Sequence, residues 1–313
     1  MKLRESKWIL ALALLLAAGS LGALPKGREM EELKLITALA LDGDKVTAIT
    51  GARASEGEEP QVLTGEGESL AAACGELRVS SARRAYLGQT EKLLVGEDQD
   101  LNEVLEFVLA DRELRLDTLL YIVKGQAGEP MAQTAKETAG EEGKAPRSRT
   151  VGELLPRLTE GDYVMAPALQ ADSEGKLVPA GWAVIGPDGV AGYFEDEAAH
   201  GAVLLAGQGE EKVVTLPGGA VELTGVRSWA VDGQVKCVLT GQIVQGEPTE
   251  AELAAWGEKA VRAALGFGWD CWGLDREMGA LRPWDWEHIQ GADVSTLEVR
   301  VAGKLVGKGE DGG

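Results

Sequence analysis

Residues 33–49, LKLITALALDGDKVTAI, place two apolar runs around Asp42-Gly43-Asp44, an aspartate–glycine turn signal that predicts a β-hairpin. Residues 51–67 are rich in glycine and glutamate and read as a loop. Ser69 then caps an alanine-rich helix to about Arg78, with Leu70, Ala73, Cys74 and Leu77 on one face. EKLLVG (91–96) has the continuous apolar run of a buried strand. Asp98 or Asp100 opens the next helix, where Leu101, Val104, Leu105, Val108 and Leu109 recur at helical spacing. DTLLYIV (117–123) returns as a strand. The order β-β-α-β-α-β predicts a mixed sheet carrying helices.

Residues 125–150 break this pattern: they are polar, charged throughout and poor in aliphatic bulk, and predict a linker or exposed loop. A smaller unit follows. It has a short helix near 151–158, strands near 163–166 and 182–185, a turn at Gly186-Pro187-Asp188-Gly189, a return strand at 190–194 and a helix over 195–206. The last third predicts strands at about 211–216, 219–232 and 234–245. Thr249 with Glu252 three residues on starts a helix whose core face holds Leu253, Trp256, Ala260 and Ala264. An alternating strand at 296–306 ends the pattern. The expectation is an α+β protein of three mixed α/β domains, at 28–124, 151–207 and 208–308, behind an N-terminal segment of residues 1–24.

That segment has the form of an export signal. Lys2, Arg4 and Lys7 precede the uncharged run Trp8–Ala18, WILALALLLAA. Leu21-Gly22-Ala23 is the small-residue pattern that precedes the lipid-bearing cysteine of bacterial lipoproteins, but position 24 is leucine and has no thiol to modify. Two outcomes stay open. Cleavage after Ala23 releases the protein; without cleavage, the apolar stretch extended through Leu24 gives about 17 residues, the short end of the spanning range. The uncut anchor is the favoured expectation.

Composition narrows the function classes. The 313 residues carry a formal charge of −20, which argues against nucleic acid and anionic lipid headgroups as partners of the folded body. The cysteines Cys74, Cys237 and Cys271 are too few and too widely spaced for a disulfide framework, although a bridge between Cys237 and Cys271 stays open. His200 and His288 lie far apart and form no metal-binding cluster. Phosphate-binding, nucleophile-elbow, zinc-protease and dinucleotide fingerprints are all missing. With 51 acidic residues, any two could be posed as an acid–base pair, so such a pairing carries no information. The sequence therefore predicts no catalytic residue, no metal and no cofactor. Trp269, Trp272, Trp284 and Trp286 either fill the core between the last helix and strand or form an exposed recognition patch or membrane-interface belt.

Several segments in order resemble the Ger(x)C family, the C subunits of bacterial spore germinant receptors. Arg28–Leu33 with ITALALDGD behind it is similar to the family's start just after its lipidated cysteine. Arg83-Arg84-Ala85-Tyr86-Leu87-Gly88-Gln89 before EKLLVGED resembles its lead into a buried strand. Asp111-Arg112-Glu113-Leu114-Arg115-Leu116 resembles its R-D-x-E-x-R pattern, with Ala110 in place of the first arginine. Ala183–Ile185 through Gly192–Glu197, and more loosely Gly266–Asp270 with Pro283-Trp284, continue the likeness. Leu24 is the main departure. The resemblance implies a non-catalytic protein at the outer face of the spore inner membrane, acting with A-type and B-type membrane subunits in nutrient sensing and germination. The residues put forward as partner contacts are Arg83, Arg84, Tyr86, Arg115, Trp284 and Trp286; for the arginines, ordinary ion pairs with Glu91 or Asp111 are the alternative. Two further functions stay open: an extracytoplasmic hydrolase of envelope polymers using paired carboxylates, and a soluble ligand-binding protein.

Overall fold

A computed structural model describes residues 33–51, 60–80, 83–137, 148–194, 213–231, 234–265, 271 and 298–306. Strands β1 (Leu33–Asp42) and β2 (Lys45–Thr50) form the expected hairpin. Gly43 stands at its tip with φ 61°, a left-handed conformation that suits glycine, and its N–H donates to Gln99 Oε1 at 2.5 Å. β3 (Val62–Glu66) pairs antiparallel with β2, inside the segment expected as a loop. Helix α1 (Leu70–Val79) starts where Ser69 Oγ accepts the N–H of Ala72, and it buries the predicted face of Leu70, Ala73, Cys74 and Leu77. β4 (Arg84–Tyr86) runs parallel to the first residues of β1, and a 3₁₀ turn, Leu87–Gln89, leads into β5 (Lys92–Gly96), also parallel to β1. Helix α2 (Leu101–Ala110), capped by Asp100, crosses to β6 (Leu119–Lys124), parallel to β5.

The segment expected as a linker is a correction. Helix α3 (Gly128–Glu137) lies within residues 125–150 and packs on the sheet. Ala127, Met131 and Ala135 fall at four-residue spacing, so a narrow apolar stripe faces the sheet, and Thr134 beside it accepts the N–H of Leu177 at 2.8 Å. Ser148, also buried, donates its hydroxyl to the carbonyl of Leu120 and returns the chain to the sheet. Helix α4 (Val151–Thr159) opens with a capping box, Thr150 and Glu153 bonding reciprocally.

The middle unit is no separate sheet either. β7 (Val164–Ala171) pairs parallel with β6, Ile122 opposite Ala168, and β8 (Leu177–Gly186) and β9 (Gly189–Phe194) follow as antiparallel neighbours. The result is one nine-stranded sheet, β3-β2-β1-β5-β6-β7-β8-β9 with β4 beside β1. Composition marks where the chain leaves the sheet but does not register that it comes back.

Period-two alternation sorts the two faces of this sheet. Leu39, Leu41, Leu93, Val95, Leu120, Ile122, Val164 and Ala166 meet the apolar stripes of α1, α2 and α4. Ala40, Leu94, Tyr121, Val123 and Leu169 meet α3 on the other face. Central strands covered on both sides are apolar at nearly every position, as parallel strands buried on two faces should be.

A second sheet forms from β10 (Val213–Leu216), β11 (Gly219–Val231), β12 (Gln234–Gly246) and β13 (Glu298–Val306), in that order, with the last pair parallel. Helix α5 (Glu250–Leu265) starts at the Thr249–Glu252 box, with Thr249 N donating to Glu252 Oε2 at 2.8 Å. It lays Leu253, Ala260, Val261 and Leu265 over Val221, Leu223, Val235, Leu239 and Val299. Gly303 of β13 passes so close beneath the helix start that a β-carbon there would stand 2.4 Å from Glu250 O. The α+β class read from the sequence is what the described residues show. The helix expected at 195–206, both histidines, the four clustered tryptophans including Trp284 and Trp286, and Leu24 lie outside the described residues.

Candidate functional site

The segments Arg83–Gln89 and Asp111–Leu116, far apart in sequence, meet at the amino ends of the parallel strands. α1 ends in Arg78, and α2 ends at Asp111, whose own N–H bonds Phe107 O. Arg78 Nη2 donates to Asp111 Oδ2 at 2.7 Å and lies 3.4 Å from Glu113 Oε2. Arg84 Nη2 donates to Glu113 Oε1 at 2.5 Å, and the N–H of Leu87 donates to Glu113 Oε2 at 3.1 Å. Asp111 Oδ1 accepts the N–H groups of Glu113 and Leu114 at 2.9 and 3.3 Å, which fixes the turn after the helix. Two carboxylates thus tie α1, α2 and β4 together.

The electrostatics fit a permanent clamp. Burial works against ionised Asp111, but the Arg78 hydrogen bond, the two N–H donors and the guanidinium charge outweigh it and hold the carboxyl below its ordinary range. Burial likewise disfavours the Arg78 cation, and the same carboxylates outweigh that and raise it. Cys74, one turn before Arg78, is pushed up to about 12, chiefly by burial, so it is an inert core thiol.

Of the residues put forward from the sequence, Arg84 joins this clamp, through Glu113 rather than through Glu91 or Asp111. Arg115 lies further along the same loop, exposed and paired with Asp117. Arg83 is exposed beside Arg84. Tyr86 is half-buried, its ring over Gly88, where a β-carbon would meet Tyr86 Cζ at 2.4 Å. Arg78 was not singled out. A basic residue in the last turn of a helix was the available signal, since it complements the helix dipole, but nothing local names its partner.

The carboxyl ends of the same strands are where open α/β sheets ordinarily bind ligands. Here two acidic groups, Asp42 and Glu97, hold the chain itself. Asp42 accepts the N–H groups of Ala127 and Gly128 on its two oxygens, each at 2.7 Å, and so anchors the start of α3. Glu97 accepts Gly125 N at 2.9 Å and the Tyr193 hydroxyl at 2.8 Å, and Lys124 Nζ sits 4.4 Å from the Tyr193 ring centre. Burial, and then the bond to Glu97, push the Tyr193 hydroxyl upward. With Asn102 Nδ2 donating to Pro187 O at 3.4 Å, this contact curls the β8–β9 end back toward the start of α2. Among the described residues no group of three histidines, cysteines or acids could hold a metal. No disulfide joins Cys237 and Cys271. Cys237 is in the core under α5, and Cys271 packs with Met165, Val184 and Phe194, its carbonyl accepting from Arg157 at 3.2 Å.

Residues 26–159 match the family model described as the spore germination protein N-terminal domain, a span that holds the clamp and both segments that meet there. Over that span the chain is similar to the N-terminal domain of spore germination proteins. The resemblance to spore germination proteins read from the sequence is borne out. Its fold matches the crystal structure of the GerBC protein with a TM-score of 0.52 over 86% of this chain and 96% of that one. The two share 16% identity, so that likeness is one of fold. No curated protein matches the chain. Among the described residues no helix is long and apolar enough to cross a membrane; the Trp8–Ala18 run lies outside them.

Proposed function

We propose that this protein is the non-catalytic C subunit of a nutrient germinant receptor, held at the outer face of the spore inner membrane by its uncut N-terminal segment. It works by contact with A-type and B-type membrane subunits, helping to turn nutrient binding into the start of germination. The observation that carries the reading is the match of residues 26–159 to the spore germination domain. The GerBC-like fold over most of the chain supports it. The chemistry of the described residues agrees: the carboxylates with fixed partners brace helices and turns, as a scaffold requires. Leu24 leaves the apolar segment as the means of attachment, because lipid cannot be joined to a leucine side chain.

The test is genetic. Spores lacking this chain are exposed to single nutrients and to a trigger that bypasses receptors. The reading expects loss of response to at least one nutrient with the bypass response intact, and restoration by the wild-type gene. Unchanged responses to every nutrient that germinates the parent spores would overturn it.

A further inference from the structure

Among the described residues, exposed large aliphatic side chains gather at two places, the amino end of the large sheet and the second sheet, where Val213, Val244 and Val306 stand. Val79 at the end of α1 is 79% exposed, Leu109 at the end of α2 56%, and Leu116 in the loop before β6 45%. Around them stand Arg83, Arg112 and Arg115, all exposed. Of the acidic groups at this end, Asp111 and Glu113 hold Arg78 and Arg84, Asp117 pairs with Arg115, and Glu91 and Glu106 are exposed, with Lys92 also exposed next to Glu91. Exposed aliphatic side chains among arginines are the composition of a surface that settles into a headgroup layer, where long basic side chains lay their stems on apolar ground and reach phosphate.

The path of the chain selects the same end. β1 starts there, at Leu33 beside Arg84. Nine residue steps separate Leu33 from Leu24, which at full extension span about 30 Å. An anchor ending at Leu24 therefore keeps this end of the sheet near the bilayer.

We infer that the surface formed by Val79, Leu109, Leu116, Arg83, Arg112 and Arg115 lies against the anionic phospholipid headgroups of the membrane. This rests on the anchored reading above. The net charge of −20 does not forbid it: the field of an anionic leaflet fades within a Debye length of about 8 Å, so the groups nearest the surface decide the contact. Overall charge, taken alone, points away from lipid; its distribution points toward it at one end.

The test uses the full chain in vesicles of equal parts phosphatidylglycerol and phosphatidylcholine, doped with a lipid carrying a nitroxide on its headgroup. A fluorophore is placed on Val79→Cys or, for comparison, on Thr224→Cys, an exposed site of the second sheet. The native cysteines are buried. The expected result is strong quenching at position 79, little at 224, and loss of the quenching at 79 in the R83E/R112E/R115E variant. Flotation of the same samples reports whether the chain stays with the vesicles. Equal quenching at both positions in a chain that floats would overturn the lipid-facing surface alone and leave that end to a protein partner. Quenching unchanged in the triple variant would overturn the role given to the arginines. A chain that does not float would overturn the anchored reading and this inference with it.

Discussion

The two ends of the large sheet use charge in opposite ways. At the carboxyl ends of the parallel strands, Asp42 and Glu97 point inward and take backbone N–H groups: those at the start of α3, and that of Gly125. At the amino ends, Arg78 complements the end of α1, and Asp111 and Glu113 turn the chain and hold arginines. Asp42 at the start of α3 and Arg78 at the end of α1 follow the helix dipole, while Asp111 stands at the end of α2 and is held there by Arg78 and two N–H donors. The two ends differ in what is left for the outside. Asp42 and Glu97 of the carboxyl end close on their own chain, whereas the amino end shows exposed arginines and aliphatic side chains. Structural charge can therefore be separated from interaction charge by asking which groups already hold backbone or helix ends.

The largest effect is expected where that comparison is broken at the amino end. Asp111→Ala leaves the Arg78 guanidinium half-buried without its main partner and removes the turn's acceptor, at a cost of about 3 kcal/mol. Denaturant unfolding measures it, and a loss below about 1 kcal/mol would show that water replaces the carboxylate. Asp42→Ala strips the start of α3 of both acceptors and costs about 2 kcal/mol. Hydrogen exchange would locate that loss in residues 127–137, where the Asp111 variant has little effect.

A smaller effect lies in acid. The folded-state pKa of Asp111 is depressed, so its contribution is complete above the unfolded value, about 3.9, and is lost as pH falls through the folded one. The wild-type protein should lose stability more steeply than Asp111→Asn below about pH 4. Parallel acid limbs would contradict the clamp. Smallest of all, Cys74 should resist alkylating reagents in the folded state at pH 8 and react only on unfolding, because burial keeps its thiol protonated. Mass tagging reads this directly.

The sequence showed what is local. The Asp42–Asp44 hairpin, the Ser69 and Thr249 caps and the apolar face of α1 need only neighbouring residues, and all stand in the structure. Helix α3 was illegible because a stripe of three small or flexible apolar residues is diluted by polar neighbours, and its anchor, Asp42, lies 85 residues before it. The continuity of the sheet was hidden for a similar reason. The pairing of β6 with β7 is a long-range choice that no turn residue announces. At the site, Arg84 was legible as a positive spot in an acidic chain, but its partner Glu113 is 29 positions away and Arg78 carried no signal beyond its place in a helix. The family resemblance named both segments without joining them; the structure supplies the bonds that do.

The most direct measurement of the central claim is the N-terminus of the protein as it exists in spores. Inner membranes of spores of the source organism are isolated and the chain is identified by mass spectrometry. The account predicts an intact segment that includes Trp8, recovered in the membrane fraction. A chain beginning at Leu24 in the soluble fraction would contradict the anchor, and absence from spores would contradict the germination role itself.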